Sequence, residues 1–181
     1  MAIDEARYNE FVKEFSTTLE EVACNKEYSE VVFLCIGTDR ITGDTFGPLV
    51  GYKLKRLFRD ENCAEVIGDL DNLVCSDNAN QVIREIDTNY ENPLIIAIDS
   101  ALTDCCDNIG NIVVANGGLK LGAGLNKRFN CVGDVSIKGI VARNMRAPNY
   151  NLRILQNIPL NLVMNMADTV ARGIYNVIKF K

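Results

Sequence analysis

Two aspartates, and the absence of any histidine, set what chemistry this chain can do. In residues 31–50, VVFLCIGTDRITGDTFGPLV, an apolar run breaks at Gly37 into a polar loop carrying Asp39, Arg40, Thr42 and Asp44. A second apolar run, residues 94–98, ends just before Asp99. Ligands and reacting groups collect at the carboxyl ends of the strands in an α/β sheet. If the two runs are parallel neighbours, Asp44 and Asp99 open on the same sheet edge. Two carboxylates brought close resist ionising together, so one keeps a proton near neutral pH. Such a pair can activate water with one member and protonate a leaving amine with the other. The same residues also fit plainer duties, Asp44 as a turn or helix-capping residue and Asp99 as a structural strand-end carboxylate.

With no histidine among the 181 residues, Ser-His and Cys-His nucleophiles and imidazole-based zinc or nickel sites are excluded. Seven cysteines, at 24, 35, 63, 75, 105, 106 and 131, form no CxxC pair and are odd in number. They read as reduced thiols, with Cys35 a small buried hydrophobe. Cys105 and Cys106 lie between Asp104 and Asp107, whose charge raises a thiol pKa and argues against a nucleophile. Neither a metal nor a cofactor is expected.

The glycine-rich segment 117–127 is a second candidate. Its glycines let backbone amides approach a ligand, and Lys127 adds charge; a hairpin loop without function fits the same residues. It lacks the P-loop pattern, and GTDRITG is not a dinucleotide fingerprint. Asn144, Arg146 and Arg153 fit a solvated loop or contacts to a partner's carboxylates.

Hydrophobic periodicity supplies the elements that must position these groups. Residues 4–25 carry Tyr8, Phe11, Phe15, Leu19 and Val22 on one helical face. Residues 30–36 read as a buried strand, 46–58 as a helix with Pro48 in its first turn, and 64–67 as a short strand. Ser76 or Asp77 starts a helix to about Tyr90. Residues 94–98 read as a central strand, 111–115 and 134–141 as further strands, and 160–179 as the closing helix. The stretch between the last two strands is too irregular for an element, and 143–151 reads as a loop. This order predicts a three-layer α/β/α sandwich with a mostly parallel sheet and one antiparallel strand. Residues 1–181 form one expected domain.

A net charge of −5 argues against nucleic acid as a partner. No apolar run approaches the ~20 residues that span a bilayer, and the charged start is unlike a signal peptide. A cytosolic protein is expected.

The strings CIGTDRITGDTFGPLVG, IIAIDSA, GGLKLGAGLNK, VGDVSIKGIV and LQNIPLNLVMNMADTVARGI together resemble the YyaC family of sporulation proteins, from about residue 31 to 174. That family is similar to the spore germination protease, an atypical aspartic peptidase that degrades small acid-soluble spore proteins, and more distantly to hydrogenase maturation peptidases. The resemblance implies a phosphorylase/hydrolase-like fold. It also implies Asp44 and Asp99 as the catalytic pair, with Thr42, Gly47, Gly122, Gly124, Asn126 and Lys127 as substrate-binding residues. The germination protease's histidine before its glycine run is replaced here by Leu119-Lys120-Leu121. Hydrogenase maturation peptidases bind nickel through two acids and a histidine, so without any imidazole the resemblance does not imply nickel recognition.

Two functions follow as expectations. One is a peptidase acting on spore proteins in the forespore or mother-cell cytosol. The other is a catalytically silent relative that binds the germination protease or another spore protein. A Rossmann-like nucleotide binder fits the fold class but lacks the fingerprint.

Overall fold

The computed structural model describes residues 5–61, 63–120 and 131–179. Its elements run α1 (Glu5–Asn25), β1 (Val31–Cys35), α2 (Phe46–Leu57), β2 (Glu65–Ile67), α3 (Ala79–Asn89), β3 (Leu94–Thr103), β4 (Ile112–Asn116), β5 (Leu119–Lys120), β6 (Cys131–Val132), β7 (Val135–Arg143), α4 (Pro148–Gln156) and α5 (Leu160–Lys179). Five strands form one sheet in the order β2-β1-β3-β7-β4, and β5-β6 form a separate ladder. In the main sheet β2, β1, β3 and β7 are parallel, and β4 joins β7 antiparallel. The architecture is the expected mostly parallel α/β/α arrangement.

The unbroken apolar runs of β1 and β3 belong in the sheet centre because helices and a hairpin cover both faces. On one face Phe33, Cys35, Ile96, Ile98 and Ile137 pack with Phe11 and Phe15 of α1, Leu54 of α2, and Val170 and Ile174 of α5. On the other, Val32, Leu34, Ile36 and Ala97 meet Ala79 and Ile86 of α3 and Leu119 and Val132 of the β5-β6 ladder. Among the described residues no helix is long and apolar enough to cross a membrane.

Three expectations need correcting. The stretch after β4 is not wholly irregular: Leu119 and Lys120 pair with Val132 and Cys131, because a buried Leu119 and Val132 seal the edge of the second core. The 143–151 loop contains the first turn of α4, whose Pro148 occupies an N-terminal position where its missing N–H costs nothing. And α3 starts later than Ser76 or Asp77. Asn78 turns its side chain back to Cys75 N–H (2.8 Å) and the Leu73 carbonyl (2.8 Å), closing a turn ahead of the helix.

The topology sets the site. The chain leaves β1 through α2 for β2 on one side, then returns through α3 to β3 on the other. Strand order therefore reverses between β1 and β3. The carboxyl ends of such a pair frame the crevice where open α/β sheets hold their ligands.

Candidate functional site

Asp44 reaches this crevice on a tightly closed loop. Gly37, at φ +146°, turns the chain sharply after β1, and a Cβ there would lie 2.1 Å from the Asp44 carbonyl oxygen. Only glycine permits that approach. Thr38 N–H donates to the Asp44 carbonyl (3.1 Å), and a 3-10 turn over Thr42–Asp44 follows. The buried Thr45 hydroxyl faces the carbonyls of Thr38 (3.2 Å) and Ile41 (3.1 Å). From above, Leu155 and Ile158 press on Gly43, so the end of α4 clamps the turn. Asp44 does not cap α2: that helix starts after Thr45 with no side-chain cap.

Asp99 was expected where β3 ends, and the strand instead runs on to Thr103. The extra residues are held by β7, which pairs with β3 from Ile96↔Val135 to Thr103↔Arg143. Pairing with β1 stops at Cys35↔Ile98, followed by Ile36 N–H to the Ile98 carbonyl (2.8 Å). Asp99 is thus the first β3 residue beyond its β1 neighbour. Its partner in the ladder to β7 is Lys138.

Ser100 joins the two carboxylates. Its N–H donates to Asp99 Oδ1 at 2.7 Å, and its hydroxyl donates to Asp44 Oδ1 at 3.2 Å. Neither aspartate closes an ion pair among the described residues. Burial raises the Asp44 pKa, opposed by the Ser100 hydroxyl and the Thr38 N–H. Burial raises Asp99 well above the usual carboxylate range. The Asp44 charge adds to that rise, while Ser100 N–H and Lys138 oppose it. Both shifts run upward, the larger at Asp99, so of the two Asp99 keeps its proton to the higher pH, while the Ser100 hydroxyl favours the anion of Asp44. No third Cys, Asp or Glu among the described residues joins them in a metal-ligating group.

The other candidate residues are more dispersed. Thr42 opens the 3-10 turn beside Asp44, its carbonyl accepting from Thr45 N–H (3.2 Å). Gly47 is buried in the first turn of α2, where a Cβ would sit 2.0 Å from the Ile36 carbonyl oxygen. Gly122, Gly124, Asn126 and Lys127 lie outside the described residues. The amides of Gly37, Thr38 and Arg40 are engaged inside the Asp44 loop or by Val74. Cys35 is fully buried, and burial pushes its thiol pKa up, so it is inert. Arg146 pairs with Asp104 at the surface, and Asn144 accepts from Asn151 and from Arg146 N–H. Sequence reasoning missed Ser100 and Lys138. The hints were a hydroxyl directly after the aspartate that follows an apolar run and a lysine directly after the apolar Ile137 of a strand.

A family model described as "Protein of unknown function (DUF1256)" matches residues 3–173. The chain is 38% identical over 162 residues to "Uncharacterized protein YyaC" of Bacillus subtilis (strain 168), covering 90% of this chain and 76% of that one. Among solved structures it is similar to a [NiFe] hydrogenase maturation protease, HycI, from Thermococcus kodakarensis KOD1. That match has a TM-score of 0.57 and 19% identity, covering 89% of this chain and 98% of the other. At that identity the likeness is one of fold.

Proposed function

Because this chain belongs to the DUF1256 family and shares the fold of a maturation protease, we propose that it is an atypical aspartic peptidase acting on a spore protein. The observation that carries this reading is the Ser100 bridge, whose N–H and hydroxyl reach Asp99 and Asp44, with neither carboxylate in an ion pair among the described residues. Asp44, the anion, takes a proton from water as that water attacks the scissile carbonyl. The proton on Asp99 passes to the carbonyl oxygen, giving a neutral gem-diol. In the breakdown step the proton now on Asp44 passes to the leaving amine as the C–N bond breaks, and a gem-diol hydroxyl returns its proton to Asp99. Each transfer of this kind is worth roughly 10²–10⁴ in rate. The substrate is a linear segment of a protein such as a small acid-soluble spore protein.

The test is to incubate the purified chain with small acid-soluble spore proteins, beside Asp44→Asn and Asp99→Asn. Cleavage by the wild type and by neither variant supports the peptidase. Intact substrate in all three, with sporulation normal in cells carrying either variant, replaces it with the silent binder.

A further inference from the structure

Lys138 occupies a place that its surroundings do not reward unless it serves the acidic pair. It lies on β7, interior to the sheet, with Asp99 opposite it on β3 and Val113 opposite it on β4. Register partners project to the same face, so Asp99, Lys138 and Val113 form a row across the second face of the sheet. Its chain neighbours Ile137 and Gly139 are buried, and Lys138 itself is half-buried. A half-buried ammonium gains from a carboxylate close by. Two other half-buried lysines have one: Lys26 meets Asp134 at 2.7 Å and Lys53 meets Asp168 at 2.6 Å. Lys138 closes no ion pair among the described residues. Its only nearby carboxylate in the ladder is Asp99.

We propose that Lys138 is a positioning residue of the acidic pair, supplying the positive charge that lets Asp44 and Asp99 share one pocket, and acting through Asp99 beside it. Two carboxylates holding one proton carry one negative charge; the ammonium balances it without saturating either carboxylate. Among the described residues, Asp44 and Lys138 are the charges that act on Asp99. Asp44, from the turn before α2, is the partner whose charge must be offset. Strand β1 ends its pairing at Ile98, one residue short of Asp99, and Lys53 and Lys55 of α2 are held by Asp168 and Asp69. The direction agrees: Lys138 draws the Asp99 pKa down against burial and Asp44. The proposal rests on Asp44 and Asp99 being a working pair, but its test does not require that substrate be cut.

The experiment follows the carboxyl carbons of the aspartates by ¹³C NMR titration in the full chain, for wild type, Lys138→Met and Lys138→Arg. Removing the cation should move the Asp99 titration up by about one pH unit or more, and Lys138→Arg should return it to near the wild-type value. If Lys138→Met does not fold, Lys138→Gln takes its place. A titration that coincides with wild type in a folded variant overturns the proposal. Where cleavage is present, both limbs of its pH profile should move up in Lys138→Met and stay in place in Lys138→Arg. Absence of cleavage in wild type would remove the peptidase reading and leave the Asp99 titration to decide the part of Lys138. Cleavage with an unmoved titration would do the reverse.

Discussion

Ile36 N–H donates to the Ile98 carbonyl at 2.8 Å, and this is the last rung between β1 and β3. Past it the strands part. The chain after Ile36 folds away through Gly37 into the Asp44 loop, while β3 continues for five residues on its ladder to β7. Asp99 is the first residue on β3 after the parting, and Ser100 the second. That sequence of events explains why one serine can reach both carboxylates: its amide lies beside Asp99 and its hydroxyl faces the gap that β1 has left. The crevice is made by unequal strand length at the point where the strand order reverses.

Asp99 should make the folded chain less stable as pH rises. Its folded pKa is raised, so the native state binds more protons than the unfolded state between the ordinary aspartate value and the raised one. Stability from this group is full below the unfolded pKa and is lost as pH climbs through the folded pKa. Asp99→Asn removes the loss while its amide oxygen still accepts from Ser100 N–H. Thermal melts should show the variant more stable than wild type at pH 8, with the gap narrowing toward pH 5. At this chain length each kcal/mol moves Tm by about 2–4 °C. A variant less stable than wild type at pH 8 would contradict a raised Asp99 pKa in the folded chain.

Ser100→Ala should change the pair without unfolding the sheet. The hydroxyl stabilises the anion of Asp44, so its loss raises the pKa of that carboxyl further. In cleavage assays the acid limb of the pH profile should then move to higher pH. A hydrogen bond to a charged group is worth about 1.5–3 kcal/mol, which corresponds to roughly a 10- to 100-fold loss. Ser100→Thr, which restores a hydroxyl, should recover part of it. An unmoved acid limb in Ser100→Ala would mean that the hydroxyl does not act on Asp44.

The strand and helix order could be seen in the sequence because burial on two faces leaves unbroken apolar runs, as in VVFLC of β1, and burial on one face leaves the helical stripe of α5. Asp44 and Asp99 could be placed on one sheet edge because both follow such runs. The continuation of β3 to Thr103 was hidden, since DSALT is held by pairing with β7 rather than by an apolar signature. The start of α4 was hidden for a similar reason. Its residues are all exposed or half-buried, and it is held through Ile154 and Leu155, with Ile158 just beyond it, against the first core and Gly43. Ser100 and Lys138 gain their meaning only from strand register, which a single chain does not display.

Gly47→Ala tests whether the loop needs α2 pressed against β1. A Cβ at this position would lie 2.0 Å from the Ile36 carbonyl oxygen and 2.7 Å from its nitrogen. Both are backbone atoms in the sheet centre, with no flexible tip to yield. Overpacking of this kind costs about 3 kcal/mol or more. Urea denaturation should show a large fall in midpoint, or no folded protein at all. Gly117→Ala meets nothing within 4 Å and differs only in its positive φ of 98°, so its loss should be much smaller, near 1 kcal/mol. Equal losses at the two positions would show that contact with Ile36 does not set the requirement at Gly47, whose φ is not positive.

Asp69 should show the opposite pH dependence from Asp99. It is 3% exposed, and burial works to raise its pKa. Lys55 Nζ lies 2.5 Å from its Oδ2, however, and the amides of Asp71 and Asn72 donate to its Oδ1 at 2.9 and 2.6 Å. These contacts outweigh burial and leave the pKa lowered. Its contribution to stability is therefore present above the ordinary aspartate pKa and is lost as pH falls through the lowered one. Lys55→Met removes the cation and keeps most of the apolar stem. Because Lys55 is partly exposed, the cost at pH 7 should be about 1–3 kcal/mol, and the difference from wild type should close as pH falls toward 3. Urea denaturation at pH 7, 5 and 3 distinguishes this from lost packing, which would leave the same gap at every pH.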